Sequence, residues 1–303
     1  MSGRPLRTPV AFLIFNRPDT TARVFAEIAR AKPPKLLVVA DGPRADRPDE
    51  AQRCVQARAV IERVDWPCEV ETHYADTNLG CRRRVSSGLD WVFERVPEAI
   101  ILEDDCLPHH SFFPYCEALL ERYRDDARIG MISGDNFQRG RQVGDGSYYF
   151  SKYTHIWGWA SWRRAWRHYD VTASLWPELL RSGLFERMTL PGERDSWQAA
   201  FDGIHAGRID TWDYQWTLAC WCHSMLAAMP QVNLISNIGF GAHATHTRSI
   251  NEYANLPTQE IALPLVAPAL TAADAHADAF TAGHMFRSRT SLARRLRRLL
   301  RPA

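Results

Sequence analysis

No stretch of the 303-residue chain approaches about eighteen continuous apolar residues, so hydropathy offers no helical membrane span. The apolar run nearest the start, Val10 to Phe15, is too short for the h-region of a signal peptide. No C-x-x-C pair occurs among the seven cysteines at positions 54, 68, 81, 106, 116, 220 and 222, which excludes the common zinc and dithiol frameworks. An odd set in a chain too large to need staples points to reduced thiols and a cytoplasmic protein. Cys220 and Cys222 read as small buried hydrophobes. A G-x-G-x-x-G turn and a Walker loop are also missing, which removes dinucleotide oxidoreductases and P-loop enzymes. The formal net charge is only +2, and setting aside the seven arginines between Arg287 and Arg301 leaves 30 basic against 35 acidic residues. A mildly acidic body argues against nucleic acid as a partner.

What is present has the rhythm of an α/β domain. Short apolar runs recur at Val10–Phe15, Lys35–Ala40, Cys68–His73, Ala99–Leu102 and Ile129–Ser133, each the size of a strand. Between them, Asp19–Ala31, Glu50–Val64 and Gly80–Val96 carry apolar residues at three- and four-residue steps, which predicts helices with one face on a sheet. The expected architecture is a mostly parallel, Rossmann-like sheet with helices on both faces.

The rhythm fails near Phe137, and nine of the eleven tryptophans then fall between Trp157 and Trp221. Residues 1–136 are therefore expected to form a nucleotide-binding half and residues 137–250 a Trp-rich acceptor half of the same domain, with a C-terminal arm over 251–303. Within that arm, Ala262–Ala282 reads as a linker or loosely packed segment. Arg287–Arg301 has leucines on one helical face and arginines on the others, a basic amphipathic helix. It is either a solvated tail or a contact with a partner or an anionic membrane surface, which would make the protein peripheral on the inner membrane face.

In parallel sheets ligands gather beyond the carboxyl ends of the strands, and polar residues stand at four of these ends. Asn16-Arg17 follows the first strand, Asp41-Gly42-Pro43 the second, Asp76-Thr77-Asn78 the third and Glu103-Asp104-Asp105 the fourth. Three adjacent carboxylates ending a buried strand are costly without a cation, and hard oxygen ligands suit Mg²⁺ or Mn²⁺ bridging a diphosphate. The alternative is an acidic loop held by arginines or by a helix N-terminus. Asp41 is a candidate acceptor for a base N–H and Arg17 a candidate for phosphate or the base edge, or the two are a turn residue and a surface charge. Arg82, Arg83 and Arg84 stand in the first turn of a helix, where cations oppose the helix dipole, so either a bound anion or a solvated basic face accounts for them.

The stretch Leu79 to Phe137, with its E-D-D-C-x-x-x-x-x-F-F core and following I-G-M-I-S-G, resembles the GT-A transferases related to N-acetylglucosaminyltransferase I. Residues 8–248 are similar to bacterial family-2-like glycosyltransferases and hemolytic-protein-like chains. The resemblance implies a GT-A fold and a metal-dependent transfer of a hexosyl or N-acetylhexosaminyl group. The donor would be a nucleotide-sugar, UDP-linked with UDP-GlcNAc favoured, and the acceptor a glycan or lipid-linked hydroxyl. It implies Asp105 as metal ligand, Asp104 at the ribose, Glu103 near the donor sugar, and Arg17 and Asp41 around uracil. Asn78, Arg83 and Arg84 match more loosely, as phosphate contacts.

His155-Ile-Trp157-Gly158-Trp159-Ala-Ser-Trp162 resembles the family's loop beneath the donor sugar, or is an aromatic core around a turn. Asp213 matches the position of the general base in inverting relatives, with a helix cap before Tyr214 as the other reading and Asp195 as the alternative base. His246, and more weakly His243, could coordinate the metal, or His246 could hydrogen-bond the diphosphate. A sugar-nucleotide-forming nucleotidyltransferase should carry a glycine- and arginine-rich loop where this chain has Phe15-Asn16-Arg17-Pro18. The non-enzyme rival is a carbohydrate-binding or membrane-active protein.

Overall fold

The computed structural model describes residues 5–240 and 253–286. The chain runs β1 (Val10–Ile14), α1 (Pro18–Ala31), β2 (Lys35–Ala40), α2 (Pro48–Ala59), β3 (Glu69–Tyr74), α3 (Gly80–Arg95), β4 (Glu98–Glu103), β5 (Cys106–Pro108), α4 (Phe112–Arg122) and β6 (Ile129–Ser133). It continues through β7 (Tyr148–Ser151), β8 (Trp159–Trp162), α5 (Arg163–Trp166), α6 (Trp176–Arg181), α7 (Leu184–Met188), α8 (Arg194–His205), α9 (Asp213–Cys222), β9 (Leu226–Pro230), β10 (Ile235–Asn237) and α10 (Ala275–Thr281). Helix α1 shows how local chemistry sets these bounds. Pro18 and Asp19 suit its first turn, Val24, Phe25 and Ile28 point inward, and Lys32 ends it in the left-handed region at φ 51°.

Eight strands form one sheet in the order β3-β2-β1-β4-β8-β6-β9-β7. The β3-β2-β1-β4 stretch is parallel, as is β6 beside β9, whereas β8 and β7 run antiparallel to their neighbours. Alternation along β1 sends Val10, Phe12 and Ile14 into a core under α1 and α4, and Ala11 and Leu13 into a second core under α3 and α9. Both faces are therefore covered over β1, β2 and the middle of β4, which are apolar, whereas the edge strand β3 is largely polar and exposed. Because β1, β2, β3 and β4 are parallel, their carboxyl ends open on one rim.

The Trp-rich half is not a separate layer, since β7, β8 and β9 extend the same sheet and β8 is inserted between β4 and β6. Most of its tryptophans are structural. Trp159, Trp162, Trp166, Trp176, Trp197, Trp212, Trp216 and Trp221 are all buried. Within residues 253–286, Ile261 and helix α10 are tied to the sheet-bearing body, while much of 262–274 is exposed and without regular structure. Gln138 Nε2 donates to Thr281 Oγ1 at 2.9 Å, Ser151 Oγ to Asp278 Oδ1 at 2.6 Å, and the Ile261 N–H to Ser111 Oγ at 3.2 Å. The side chain of Asp274 caps α10.

All seven cysteines are free thiols, and Cys220 is buried in the second core. Among the described residues no helix is long and apolar enough to cross a membrane. The basic stretch Arg287–Arg301 lies outside the described residues.

Candidate active site

A cleft of about 390 Å³ opens beyond the carboxyl ends of β1, β2 and β4. Its wall takes Arg17 from the β1–α1 turn, Asp41 from the end of β2, Asn78 and Arg84 from the start of α3, and Glu103, Asp104 and Asp105 from the end of β4. Trp157 closes one side and Asp213, the first residue of α9, another. Residues more than 190 positions apart thus meet at one rim.

The acidic corner is the least comfortable part electrostatically. Asp104 is buried, and its Oδ2 accepts the Phe15 N–H at 2.9 Å. Burial, with the neighbouring Asp105, pushes its carboxyl up to about 6 against the pull of Arg17. Burial, then Asp105 and Asp104, pushes Glu103 up to about 8, and Asp213 adds to the effect. One guanidinium serves this corner: Arg17 Nη1 lies 3.4 Å from Asp104 Oδ1 and donates to Asp105 Oδ2. Arg17 thus lines the cleft while it pairs with the acids themselves.

Asp41 is occupied by its own turn. Its Oδ1 accepts the N–H groups of Gly42 and Leu79, and its Oδ2 the Asn78 amide, each at 2.9 Å. This is the turn-residue alternative, although the carboxylate still borders the cleft. Arg84 is buried with its Nη2 on the His73 carbonyl at 2.9 Å. Arg83 is not at the cleft; it is exposed and faces a second groove. The anion expected at the α3 N-terminus is a protein group, since Asp210 accepts the N–H groups of Cys81 and Arg82 at 3.2 Å.

The Trp157-Gly158-Trp159 loop divides in role. Trp157 is part-exposed on the cleft, its N–H donating to Asp135 Oδ2 at 3.0 Å. Gly158 has φ 68°, and a Cβ there would lie 2.4 Å from Ile235 Cδ1, so its close approach is to the protein. Trp159 is fully buried and stacked on Trp212 at 5.6 Å, which is the aromatic-core alternative.

Asp213 is the first residue of α9, after the N-cap position held by Trp212, and its side chain accepts a hydrogen bond from Thr211 Oγ1. Asp195 is exposed on α8 and does not line the cleft. His243 and His246 lie outside the described residues.

No family model matches the sequence, and no curated protein sequence matches it either. Similar solved structures include mouse xyloside xylosyltransferase 1 in its apo form, at 12% identity over 72% of this chain and 84% of that one, with a TM-score of 0.31. A 4-diphosphocytidyl-2C-methyl-D-erythritol synthase from Anaerococcus prevotii is 11% identical over 60% and 84%, with a TM-score of 0.29. UDP-glucose pyrophosphorylase complexed with UDP-glucose is 9% identical over 52% and 70%, with a TM-score of 0.27. At these values the similarities say nothing of what this chain binds.

Cys81 lines the same cleft as Glu103, Asp213, Asp210 and Asp41, and burial first, then these acids, pushes its thiol far up. Neither Cys81 nor Asp210 was legible as a site residue in the sequence. A reader could have marked Asp210 only as an acid three positions before Asp213. Among the described residues no group of three or more His, Cys, Asp or Glu is arranged to hold a metal ion by itself. The donor chemistry still fits a hard divalent ion, which commonly takes one or two carboxylates and completes its shell with phosphate and water. Asp105, with Glu103 beside it, offers such oxygens where negative charge exceeds what Arg17 balances.

Proposed function

We propose that the chain is a GT-A-type glycosyltransferase that moves a sugar from a nucleoside-diphosphate donor, UDP-linked, to an acceptor hydroxyl with inversion. The observation that carries this reading is the convergence on one cleft of an under-compensated acidic strand end and a separate carboxylate, Asp213. Asp105 would hold Mn²⁺ or Mg²⁺ once released from Arg17, and the ion supplies positive charge to the leaving diphosphate.

The residues of the chain account for the remaining steps. Trp157 offers an apolar face to the donor sugar, and Asn78 and Arg84 line the donor side. Asp213 takes the proton of the acceptor hydroxyl as its oxygen bonds to the anomeric carbon. The bond from that carbon to the diphosphate breaks in the same displacement, and its electron pair leaves with the nucleotide. Arg17, freed from Asp105, would stand beside the departing charge. The carbohydrate-binding rival needs aromatic faces in solvent, whereas eight of the nine tryptophans from Trp157 to Trp221 are buried.

Thermal unfolding with UDP, Mn²⁺ and both together tests the reading. Ligand at about 100 times its dissociation constant stabilises by roughly 2.7 kcal/mol. A cooperative shift with UDP and Mn²⁺ that is absent in Asp105→Ala is expected. No shift in the unaltered chain with any nucleoside diphosphate would end the transferase reading.

A further inference from the structure

The two edges of the main sheet are finished differently. At β7 the chain covers its own edge: the Ser147 N–H donates to the Val266 carbonyl at 2.7 Å, the Asp274 N–H to the Phe150 carbonyl at 2.8 Å, and Phe150 bridges to Ala273. At β3 no strand among the described residues pairs beyond β2. The bonds between β3 and β2 use the odd positions of β3, since the Glu69 N–H meets the Pro34 carbonyl and the Ala75 N–H the Ala40 carbonyl, both at 2.9 Å. The N–H and C=O groups of Val70, Thr72 and Tyr74 therefore point out of the edge. Neither a proline nor a bulge, two common guards against pairing, interrupts the strand.

Apolar surface borders this edge. The side chains of Val70, Thr72 and Tyr74 face Val55, Ala59 and Ile61 across a groove of about 420 Å³. Val55 is 59% exposed and Val70 38%. The groove also holds Arg58 and Glu62, one charge of each sign, and the Arg58 guanidinium lies over the Tyr74 ring at 4.8 Å.

The occupant that fits is a second copy of β3. Set antiparallel with Thr72 opposite Thr72, the strands place Val70 opposite Tyr74, and every outward N–H and C=O of both finds a partner. On the other face the same register brings Glu71 opposite His73 of the second copy. His73 Nδ1 takes a hydrogen bond from Arg84 Nη2 at 3.0 Å, so its proton sits on Nε2 and can be donated to a carboxylate. Sliding the pairing so that Glu71 faces Glu71 sets like charges together, which singles out the register centred on Thr72. We propose that β3 is a self-pairing edge through which two copies of this chain join their sheets about a two-fold axis. The contact is isologous and closes at two copies, and it is independent of the chemistry at the cleft.

Sedimentation velocity of the full chain, from about 1 to about 200 µM, tests the proposal. One strand and a small groove fall short of a standard interface of about 1,600 Å², so dimers should appear in the micromolar range. Thr72→Pro removes the central outward N–H and leaves the bonds to β2 in place, as suits proline on an edge strand. Val70→Lys puts a charge in the seam and leaves the backbone alone. Each should weaken dimerisation about tenfold or more. Val266→Lys, an exposed change on the segment that covers the opposite edge, should leave it unaltered. A chain that stays monomeric at about 200 µM overturns the proposal, as does a Thr72→Pro protein that dimerises as tightly as the unaltered one. Should Thr72→Pro fail to fold, Val70→Lys decides alone: undiminished association overturns the edge, and its loss with Val266→Lys still dimeric supports it.

Discussion

Arg17 Nη1 lies across Asp104 and Asp105, 3.4 Å from the first and paired directly with the second, so one cation serves two neighbouring acids. The contact occupies the carboxylate proposed above to hold the metal. Removing one partner of a buried ion pair costs about 3–5 kcal/mol, and partial exposure puts Arg17→Met near 3. Metal-free Arg17→Met should therefore melt several degrees lower. Mn²⁺ should raise its melting temperature by more than it raises that of the unaltered chain, because Asp105 no longer has an internal cation. A smaller gain in the variant would mean that Arg17 assists the metal and does not compete with it.

The raised carboxyls give stability a definite pH slope. Glu103 titrates in the folded chain at about 8 against an ordinary 4.5, with burial as the largest cause. Its contribution to stability is full below about 4.5 and is lost as the pH climbs through 8, because ionising it costs more in the fold than in the unfolded chain. Glu103→Gln should flatten the fall in metal-free melting temperature between about pH 5 and about pH 8.5. An unchanged slope in the variant would show that Glu103 is not the group responsible.

The parallel half of the fold was legible because β1, β2 and β4 are apolar runs, the helices between the strands have a clear period, and each strand, the more polar β3 included, ends in a polar cluster. The rest was hidden by composition. Trp159–Trp162 and Leu226–Pro230 contain no β-branched residue, and Tyr148–Ser151 reads as part of an aromatic region, so their membership of the sheet was not announced. For the site, adjacency on one strand end could be read from Glu103-Asp104-Asp105, and Asp213 was reachable through resemblance. The direction of a side chain was not. Arg83 and Arg84 are neighbours, yet the rotation of about 100° between adjacent helix positions sends the first to the groove and buries the second beside the cleft.

The two tryptophans of the Trp157-Gly158-Trp159 loop should separate by experiment. Trp159 is fully buried against Trp212, Trp216 and Trp166, and truncating such a side chain costs about 3–5 kcal/mol. Trp159→Ala should unfold early in denaturant. Trp157, part-exposed at the cleft, should lose about 1 kcal/mol or less on truncation and instead raise the KM for the sugar nucleotide. Equal destabilisation by the two changes would contradict this division.

Asp213 and Asp195 are both acids at the start of a helix, and only Asp213 lines the cleft. Asp213→Asn keeps the size of the side chain and can still meet the Thr211 hydroxyl, so the fold and UDP binding should persist. Turnover of the sugar nucleotide should fall by about 10²–10⁴, the range for loss of a general base. Asp195→Asn, changed on the exposed face of α8, should keep its turnover within about twofold, as for other surface substitutions. A reversal, with Asp195→Asn inactive and Asp213→Asn active, would move the proton acceptor out of the cleft. Loss of UDP affinity in Asp213→Asn alongside loss of turnover would instead assign that carboxylate to binding, since a base acting only in the transition state leaves ground-state affinity in place.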